Sequence, residues 1–495
     1  MAKESTTYQN FKTHRAEPLA SSMIETFRAI GYNLQTAIAD IIDNSVSAAS
    51  KNIYVNFEWA GENSLIIIKD DGKGMNDSEI IEAMRPGSKS PVEVRDLKDL
   101  GRFGLGLKTA SFSQCRKLTV VSKKENDTNY WTWDLDYVIE TDKWDLIKLE
   151  PDTKHINSLS AFNSGTIVLW ENIDRLTKGT KKDNEKDLDN FLKAAEIVKA
   201  HLAMVFHRYI EQNKIKLFFN DTEIEAWDPY LKGEKATQPL PDEPLANGKI
   251  IIKPYVLPHI SKITDVIHKK AEGPRGWNAQ QGFYIYRNER LLVAGEWLGM
   301  FRKEEHYKLA RIMIDIPNTV DLDWQIDIKK SIARPPANIR QELKRIANYT
   351  RSEAVKIYRH RGKILQRSLK NEFVMLWLEK VRHGKRLYEV NREHPLIKEL
   401  IESNPELKWK LNTLLRIVEE TVPVPLITLN ESEKPDTLAK PFEDSAGKEV
   451  MELLKLMYKS LIVKMTSEEA KQQLLYMEPF NEYPALIEAI DGFNN

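Results

Sequence analysis

Apolar residues lie three or four positions apart throughout residues 20–50, and this spacing predicts a helical region. Short runs rich in β-branched and aromatic residues then predict strands. These runs are 52–59, 64–70, 117–123, 129–136 and 165–172. Residues 183–212 return to the helical period. Helices and mainly antiparallel strands thus alternate irregularly, which indicates an α+β sandwich layer.

The second half of the chain begins with a polar, proline-rich stretch at 233–248, which predicts a linker or an exposed loop. A second mixed unit follows, with strands predicted at 250–257, 282–292 and 310–317. From 338 to 419 the pattern is helical and strongly charged. Residues 421–446 predict another loop, and 447–473 predict a last helical segment.

Composition narrows the class of protein. A chain of 495 residues exceeds the ~250–300 that one core usually spans, so we expect two or three domains. Basic and acidic residues balance at 73 each, so no surface-wide field that would capture nucleic acid is expected. The single cysteine, Cys115, excludes an intramolecular disulfide and fits a reducing cytoplasm. No apolar run approaches the ~18–20 residues that cross a membrane.

The first motif with chemical content is DIIDN, near the end of the first helical region. Asp40 and Asn44 lie four positions apart and so share one helix face, where they interrupt an otherwise apolar stripe. Polar residues that cap the end of a helix would give the same pattern.

The second motif is KDDGKGM, directly after an apolar strand. Gly72 and Gly74 allow a tight turn and a close approach of the backbone to a ligand. The carboxylate of Asp70 at the strand end can accept a hydrogen bond from an adenine amino group. An Asp-Gly pair also marks ordinary hairpin turns.

The third motif, GRFGLGLKTAS at 101–111, is not a Walker A loop, because Leu107 separates Gly106 from Lys108. It also follows a polar run rather than a buried strand. We interpret it as a glycine-hinged lid that enters a helix, whose backbone N–H groups and Lys108 would hold phosphates. A flexible loop followed by a helix cap is the alternative.

The fourth motif is SGTIVLW at the start of a predicted strand. There the hydroxyl of Thr166 can complete the hydrogen bonding around the adenine-binding carboxylate. Taken alone, the motif is also typical of a plain strand.

The order and spacing of the four motifs resemble the GHKL (Bergerat-fold) ATPases, which include gyrase B, MutL, the heat-shock chaperones, sensor histidine kinases and MORC proteins. The G-x-G-x-K lid and the second unit resemble the MORC and MutL branch most. This resemblance covers residues 20–340. It implies an ATP-binding α/β sandwich followed by a transducer-like (S5-type) α/β domain, with a helical C-terminal region beyond.

The resemblance also implies ligands and site residues. ATP and Mg²⁺ would be bound by Asn44, Asp70, Gly72, Gly74, Met75, Gly101, Gly104, Leu105, Gly106, Leu107, Lys108, Thr109 and Thr166. Asn44 would coordinate Mg²⁺, Asp70 and Thr166 would hold the adenine, and the lid would wrap the phosphates. Asp40 stands where the family normally has a glutamate that activates water. Because its side chain is one methylene shorter, we expect slow turnover.

In the gyrase, MutL and MORC branches the following domain supplies a lysine to the γ-phosphate. The stretch at 318–336 looks like that loop, with Lys330 as the first candidate and Lys329 as the second. A surface loop with two solvated lysines is the alternative.

We therefore predict an N-terminal arm (1–19), a GHKL domain (20–235), a transducer-like domain (236–338) and a helical region (339–495). The resemblance implies an ATP-gated homodimeric clamp that acts on DNA or on a DNA-processing partner such as a separate nuclease. We expect no association with a membrane. The chain also resembles stand-alone prokaryotic MORC-type ATPases, and this resemblance implies a role in restriction or phage defence. A basic excess at 340–370 suggests DNA contact, although charge runs are often solvated helix faces. The alternative function is a non-catalytic ATP sensor that recruits an effector.

Overall fold

The fold comes from a computed structural model of the chain. The structure describes residues 14, 16–88, 106–125, 127–245, 248, 250–317, 324–325, 333–359, 374–382, 385–424, 426–427 and 448–490. They form two compact units, one up to Ala354 and the other from Val355 onward. The predicted domain boundaries are finer than this division and stay predictions.

A mixed, mainly antiparallel sheet of seven strands forms the base of the first unit. Its strands are β1 (Asn52–Glu58), β2 (Leu65–Asp70), β3 (Lys117–Lys124), β4 (Asp127–Asp134), β5 (Gly165–Glu171), β6 (Lys216–Phe219) and β7 (Thr222–Glu223). They lie in the order β4-β3-β5-β2-β1-β6-β7. Buried and half-buried residues alternate along β1 and β2, because one face of the sheet packs on helices. In β2 this buried face carries Ile66, Ile68 and, at the strand end, Asp70.

Nine helices accompany this sheet among the described residues. They are α1 (Ala20–Arg28), α2 (Leu34–Ser47), α3 (Asp77–Met84), α4 (Gly106–Phe112), α5 (Leu135–Thr141), α6 (Thr153–Ser158), α7 (Asp174–Thr177), α8 (Glu185–Val205) and α9 (His207–Glu211). The region predicted as helical at 20–50 is thus two helices, separated at Gly31, which has a φ of 82°. Asn33 caps the start of α2 by accepting a hydrogen bond from the Thr36 backbone.

The second sheet contains β8 (Gln238–Pro239), β9 (Glu243–Leu245), β10 (Ile250–Val256), β11 (Gly282–Arg287), β12 (Arg290–Glu296) and β13 (Ala310–Ile316), with α10 (Asp265–Glu272) between strands. The prediction of a single strand at 282–292 was wrong. Asn288 and Glu289 both adopt positive φ, so the segment turns back on itself as a two-residue hairpin. The predicted loop at 233–248 contributes β8 and β9, which pair with β10.

The end of the first unit and the whole of the second are mainly helical. They contain α11 (Ala337–Arg359), β14 (Trp377–Arg382), β15 (Lys385–Val390), α12 (Pro395–Ser403), α13 (Lys408–Thr421), α14 (Lys448–Ile462), α15 (Ser467–Leu475) and α16 (Pro484–Glu488). The helical pattern predicted for 338–419 missed the antiparallel hairpin of β14 and β15. Most of the loop predicted at 421–446 lies outside the described residues. Within the described part of the chain, every helix is too short or too polar to span a membrane.

These elements give the predicted α+β class: a sandwich with a mixed sheet, a second mixed sheet and a helical region after it.

Candidate functional site

Asp70 is a buried carboxylate surrounded by hydrogen-bond donors. Its Oδ2 accepts a bond of 2.8 Å from the Ser45 hydroxyl, and its Oδ1 accepts bonds from the Ser50 hydroxyl and the Gly72 backbone N–H at 3.1 and 2.9 Å. Burial raises the pKa of the Asp70 carboxyl, and these three bonds oppose the rise. A carboxylate has about four acceptor positions, so the group can accept one more donor.

The turn after β2 is built for close contact. A Cβ on Gly72 would lie 2.6 Å from the Ser50 Oγ. A Cβ on Gly74, whose φ is 65°, would lie 1.9 Å from the backbone oxygen of Lys123. The two glycines that were predicted to allow a close approach of the backbone therefore have no space for a side chain. Met75, the next residue, is partly buried against the core of the first unit.

Thr166 lies directly beside Asp70, because the two residues pair across β2 and β5. The Thr166 hydroxyl is 2.8 Å from the hydroxyl of Ser122 on β3. Ser122 in turn accepts a hydrogen bond from the Met75 backbone N–H at 2.9 Å. The second and fourth sequence motifs thus meet in space, and Ser122 connects them.

Asp40 and Asn44 lie one turn apart on α2, as predicted, but in different surroundings. Asp40 is buried and Asn44 is exposed. The Tyr32 hydroxyl donates a bond of 2.8 Å to Asp40 Oδ2. Ser45, the residue after Asn44, contacts Asp70, so α2 and the glycine turn form one pocket wall.

A buried arginine from the second sheet also reaches α2. The Nε of Arg290 is 3.2 Å from Asp43 Oδ1, and one of its terminal nitrogens is 3.7 Å from Asp40 Oδ1. All three side chains are at most 4% exposed. The second sheet therefore contributes charge directly beside the first motif.

The described part of the third motif is α4, which begins at Gly106. A Cβ on Gly106 would lie 3.9 Å from Asp40 Oδ2, so the helix starts beside that carboxylate. Lys108 is buried, and its Nζ donates a bond of 2.8 Å to the backbone oxygen of Ala83. Leu107 packs on the core and Thr109 is fully buried. In this arrangement Lys108 connects α4 to the end of α3.

Five residues of the predicted site lie in segments that the structure does not describe. Gly101, Gly104 and Leu105 of the lid, and the candidate lysines Lys329 and Lys330, lie outside the described residues. Their assignments stay predictions.

Two arginines of the basic excess on α11 make contacts within the protein. Arg345 forms ion pairs with Glu243 and Glu342 at 2.9 Å each. The guanidinium of Arg351 lies 3.8 Å from the ring centre of Tyr307 and 4.1 Å from that of Phe301. The described half of the 340–370 segment is therefore not a continuous row of solvated cations.

Sequence reasoning did not find five residues of this site: Tyr32, Ser45, Ser50, Ser122 and Arg290. The two serines near Asn44 carry a weak signal, because the segment DNSVSAAS places several hydroxyls next to a candidate metal ligand. Tyr32 lies eight positions before Asp40 but outside the motif. Ser122 and Arg290 come from distant parts of the chain, and only the fold brings them to the site.

The family model described as histidine kinase-, DNA gyrase B- and HSP90-like ATPase matches residues 32–166. This span begins at Tyr32, ends at Thr166 and includes Asp40, Asn44 and the glycine turn. Residues 32–166 form a GHKL ATPase domain. The resemblance read from the four motifs is thereby confirmed.

Curated relatives match shorter parts of the chain. A DNA mismatch repair protein MutL from Rickettsia prowazekii is 28% identical over 184 residues, which is 36% of this chain and 28% of that protein. The ATPase morc-1 of Caenorhabditis elegans is 30% identical over 90 residues, covering 18% of this chain and 10% of that protein. The chain thus spans less than a third of the length of these relatives.

Solved structures also match over a longer range. The ATPase and transducer domains of DNA topoisomerase II from Balamuthia mandrillaris match 65% of this chain and 84% of that one, with 11% identity and a TM-score of 0.36. The ATPase region of Saccharomyces cerevisiae topoisomerase II matches 64% and 83%, with 12% identity and a TM-score of 0.34.

Proposed function

We propose that this protein binds ATP together with Mg²⁺ in the GHKL pocket and hydrolyses it slowly. The observation that carries the proposal is the buried carboxylate of Asp70, fixed by Ser45, Ser50 and the Gly72 N–H and placed beside Thr166. A buried acceptor with remaining capacity, next to a turn with no room for side chains, suits a flat base that carries an amino group.

The residues present fit Mg²⁺ and the phosphates. Asn44 is exposed at the same end of α2 as Asp70's partner Ser45, and a carboxamide oxygen is a normal magnesium ligand. When bound, Mg²⁺ would neutralise phosphate charge. The start of α4, the described part of the predicted phosphate-binding segment, lies beside Asp40.

Asp40 is the residue of this pocket suited to accept a proton from the attacking water. Its Oδ2 accepts a hydrogen bond from the Tyr32 hydroxyl, which holds the carboxylate in place. The short side chain favours slow turnover.

In this proposal ATP closes two copies of the chain into a clamp on DNA or on a DNA-processing partner, and hydrolysis reopens it. The relatives named a DNA mismatch repair protein and an ATPase support this setting. Restriction or phage defence remains the role that the MORC-like resemblance implies.

ATP turnover by the wild-type protein, Asp40→Ala and Asp40→Glu tests the catalytic part. We expect measurable wild-type turnover, its loss in Asp40→Ala, and equal or higher turnover in Asp40→Glu. Wild-type turnover equal to that of Asp40→Ala would favour the second candidate, an ATP sensor that recruits an effector. The short side chain of Asp40, where the resemblance implies a glutamate, is the observation that favours this candidate.

A further inference from the structure

Arg290 has a position that neither the sequence motifs nor the proposed chemistry requires. It is the first residue of β12, directly after the turn formed by Asn288 and Glu289. Its side chain leaves the second sheet and ends among the carboxylates of α2, where it is 4% exposed. An arginine is rarely buried unless its charge is compensated.

All three nitrogens of the Arg290 guanidinium have defined contacts. The Nε faces Asp43 Oδ1 at 3.2 Å, and one terminal nitrogen faces Asp40 Oδ1 at 3.7 Å. The other terminal nitrogen donates a bond of 3.0 Å to the backbone oxygen of Leu291. The planar group is therefore oriented by its own strand and by its hydrogen bond to Asp43, and Asp40 lies within ion-pair distance of it.

The hairpin that carries Arg290 is itself attached to the first sheet layer. The Tyr209 hydroxyl on α9 donates a bond of 2.7 Å to the backbone oxygen of Asn288. Lys214 forms an ion pair with Glu289. Contacts on both turn residues thus hold the hairpin tip against α9 and the segment that follows it, and any movement of this tip displaces the Arg290 side chain.

We infer that Arg290 is a positioning residue that sets Asp40 for proton transfer and makes its placement depend on the docked second sheet. The Tyr32 hydroxyl holds one oxygen of Asp40 by a hydrogen bond, and the Arg290 guanidinium faces the other oxygen at ion-pair distance, so the two side chains act on both oxygens of the carboxylate. This inference rests on the proposed hydrolysis. It is distinct from the predicted roles of Lys329 and Lys330, which concern the γ-phosphate.

The competing explanation is that Arg290 forms ion pairs that only stabilise the fold. Because these charges are buried, a loss of activity in the simplest variant, Arg290→Met, does not separate a positioning role from unfolding. Arg290→Met leaves two buried carboxylates without their guanidinium and is expected to unfold easily. The double variant Arg290→Met/Asp43→Asn removes one positive and one negative charge, so the net charge of the three groups is that of the wild type. Arg290→Lys keeps the charge, but its single ammonium cannot face both carboxylates as a planar fork does.

The experiment measures thermal stability in the wild type, Arg290→Met, the double variant and Arg290→Lys, and kcat and KM for ATP in those that fold. We expect the double variant to be more stable than Arg290→Met, with KM within about twofold of the wild type and kcat lower by on the order of 10- to 100-fold. Arg290→Lys should fold and show the same split, with a smaller loss of kcat.

Recovery of kcat together with stability in the double variant would overturn the inference, because it would leave Arg290 with a structural role only. An unchanged kcat in folded Arg290→Lys would overturn it as well, even if the double variant did not fold. Absence of turnover in the wild type would instead refute the proposed hydrolysis, and the positioning role with it, before any variant is compared.

Discussion

The Ser45 hydroxyl donates a hydrogen bond of 2.8 Å to Asp70 Oδ2 and so joins helix α2 to the end of strand β2. Asn44, the candidate magnesium ligand, immediately precedes Ser45. One helical turn therefore carries both the predicted metal ligand and the residue that orients the predicted adenine acceptor. This contact makes the base-binding and phosphate-binding sides of the pocket interdependent.

Ser45→Ala should change the pH dependence of nucleotide affinity. Ionised Asp70 accepts the adenine amino group, so affinity falls as pH decreases through the raised pKa of Asp70. The Ser45 bond lowers that pKa, and its removal raises the pKa further. Calorimetric titrations across acidic pH should therefore show the decline at higher pH in Ser45→Ala than in the wild type.

Ser47→Ala is the matched control, because Ser47 lies on the same helix but its hydroxyl donates to the Asp43 backbone oxygen. Comparison between variants cancels the titration of the nucleotide itself. Superimposable pH profiles for Ser45→Ala and the wild type would contradict the role given to Asp70.

Gly74→Ala should damage the pocket through shape. The added Cβ would overlap the Lys123 backbone oxygen, and the φ of 65° is unfavourable for alanine. We expect a loss of about 2–5 kcal/mol in the free energy of unfolding, or no folded protein. Gly179 has a similar φ of 78°, but an added Cβ there would have no atom within 4 Å. Gly179→Ala should therefore lose only about 1 kcal/mol in the free energy of unfolding. Equal losses in denaturant titrations would show that the turn is not closely packed.

Arg290→Met should be strongly destabilising. Removing the guanidinium leaves Asp40 and Asp43 buried without this partner, which typically costs about 3–5 kcal/mol. Arg345→Met breaks two half-exposed ion pairs and should cost less than about 1 kcal/mol. Chemical unfolding of both variants measures the difference, and a small effect at Arg290 would mean that its burial is not maintained in solution.

DNA contact through α11 has a specific consequence at Lys344, which is exposed and lies beside the engaged Arg345. Lys344→Glu should weaken DNA binding and reduce the slope of log affinity against log salt by about 1. Lys193→Glu makes the same charge change on the exposed side of α8. If both variants bind DNA like the wild type, α11 is not the contact surface.

Local sequence was sufficient for β1 to β5 and for the helical regions of α1, α2 and α8, because their alternation and helical periods were clear. It did not predict the short strands β6 and β7 or the short helices of the first sheet layer, such as α3. It was insufficient at 282–292, where an apolar run hides a turn at Asn288 and Glu289 whose backbone conformation depends on the contacts of the hairpin tip. The charged pattern at 338–419 likewise concealed β14 and β15, whose pairing is not encoded by periodicity alone.

The candidate site shows the same difference between local sequence features and long-range contacts. Asp40, Asn44, Asp70 and the glycines have recognisable spacing, because a turn and a helix face are local features. Ser122 and Arg290 join the pocket across 47 and 247 positions of sequence, to Met75 and Asp43 respectively. Such contacts depend on strand order and on how the second sheet packs, and no local pattern records them.

The most direct test of the central claim is calorimetric titration of ATP in the presence of Mg²⁺ into the wild-type protein, Asp70→Ala and Asn44→Ala. We expect saturable binding to the wild type, loss of binding in Asp70→Ala, and weakened, magnesium-insensitive binding in Asn44→Ala. Heat of binding that is absent from the wild type, or unchanged when both residues are replaced together, would contradict this claim.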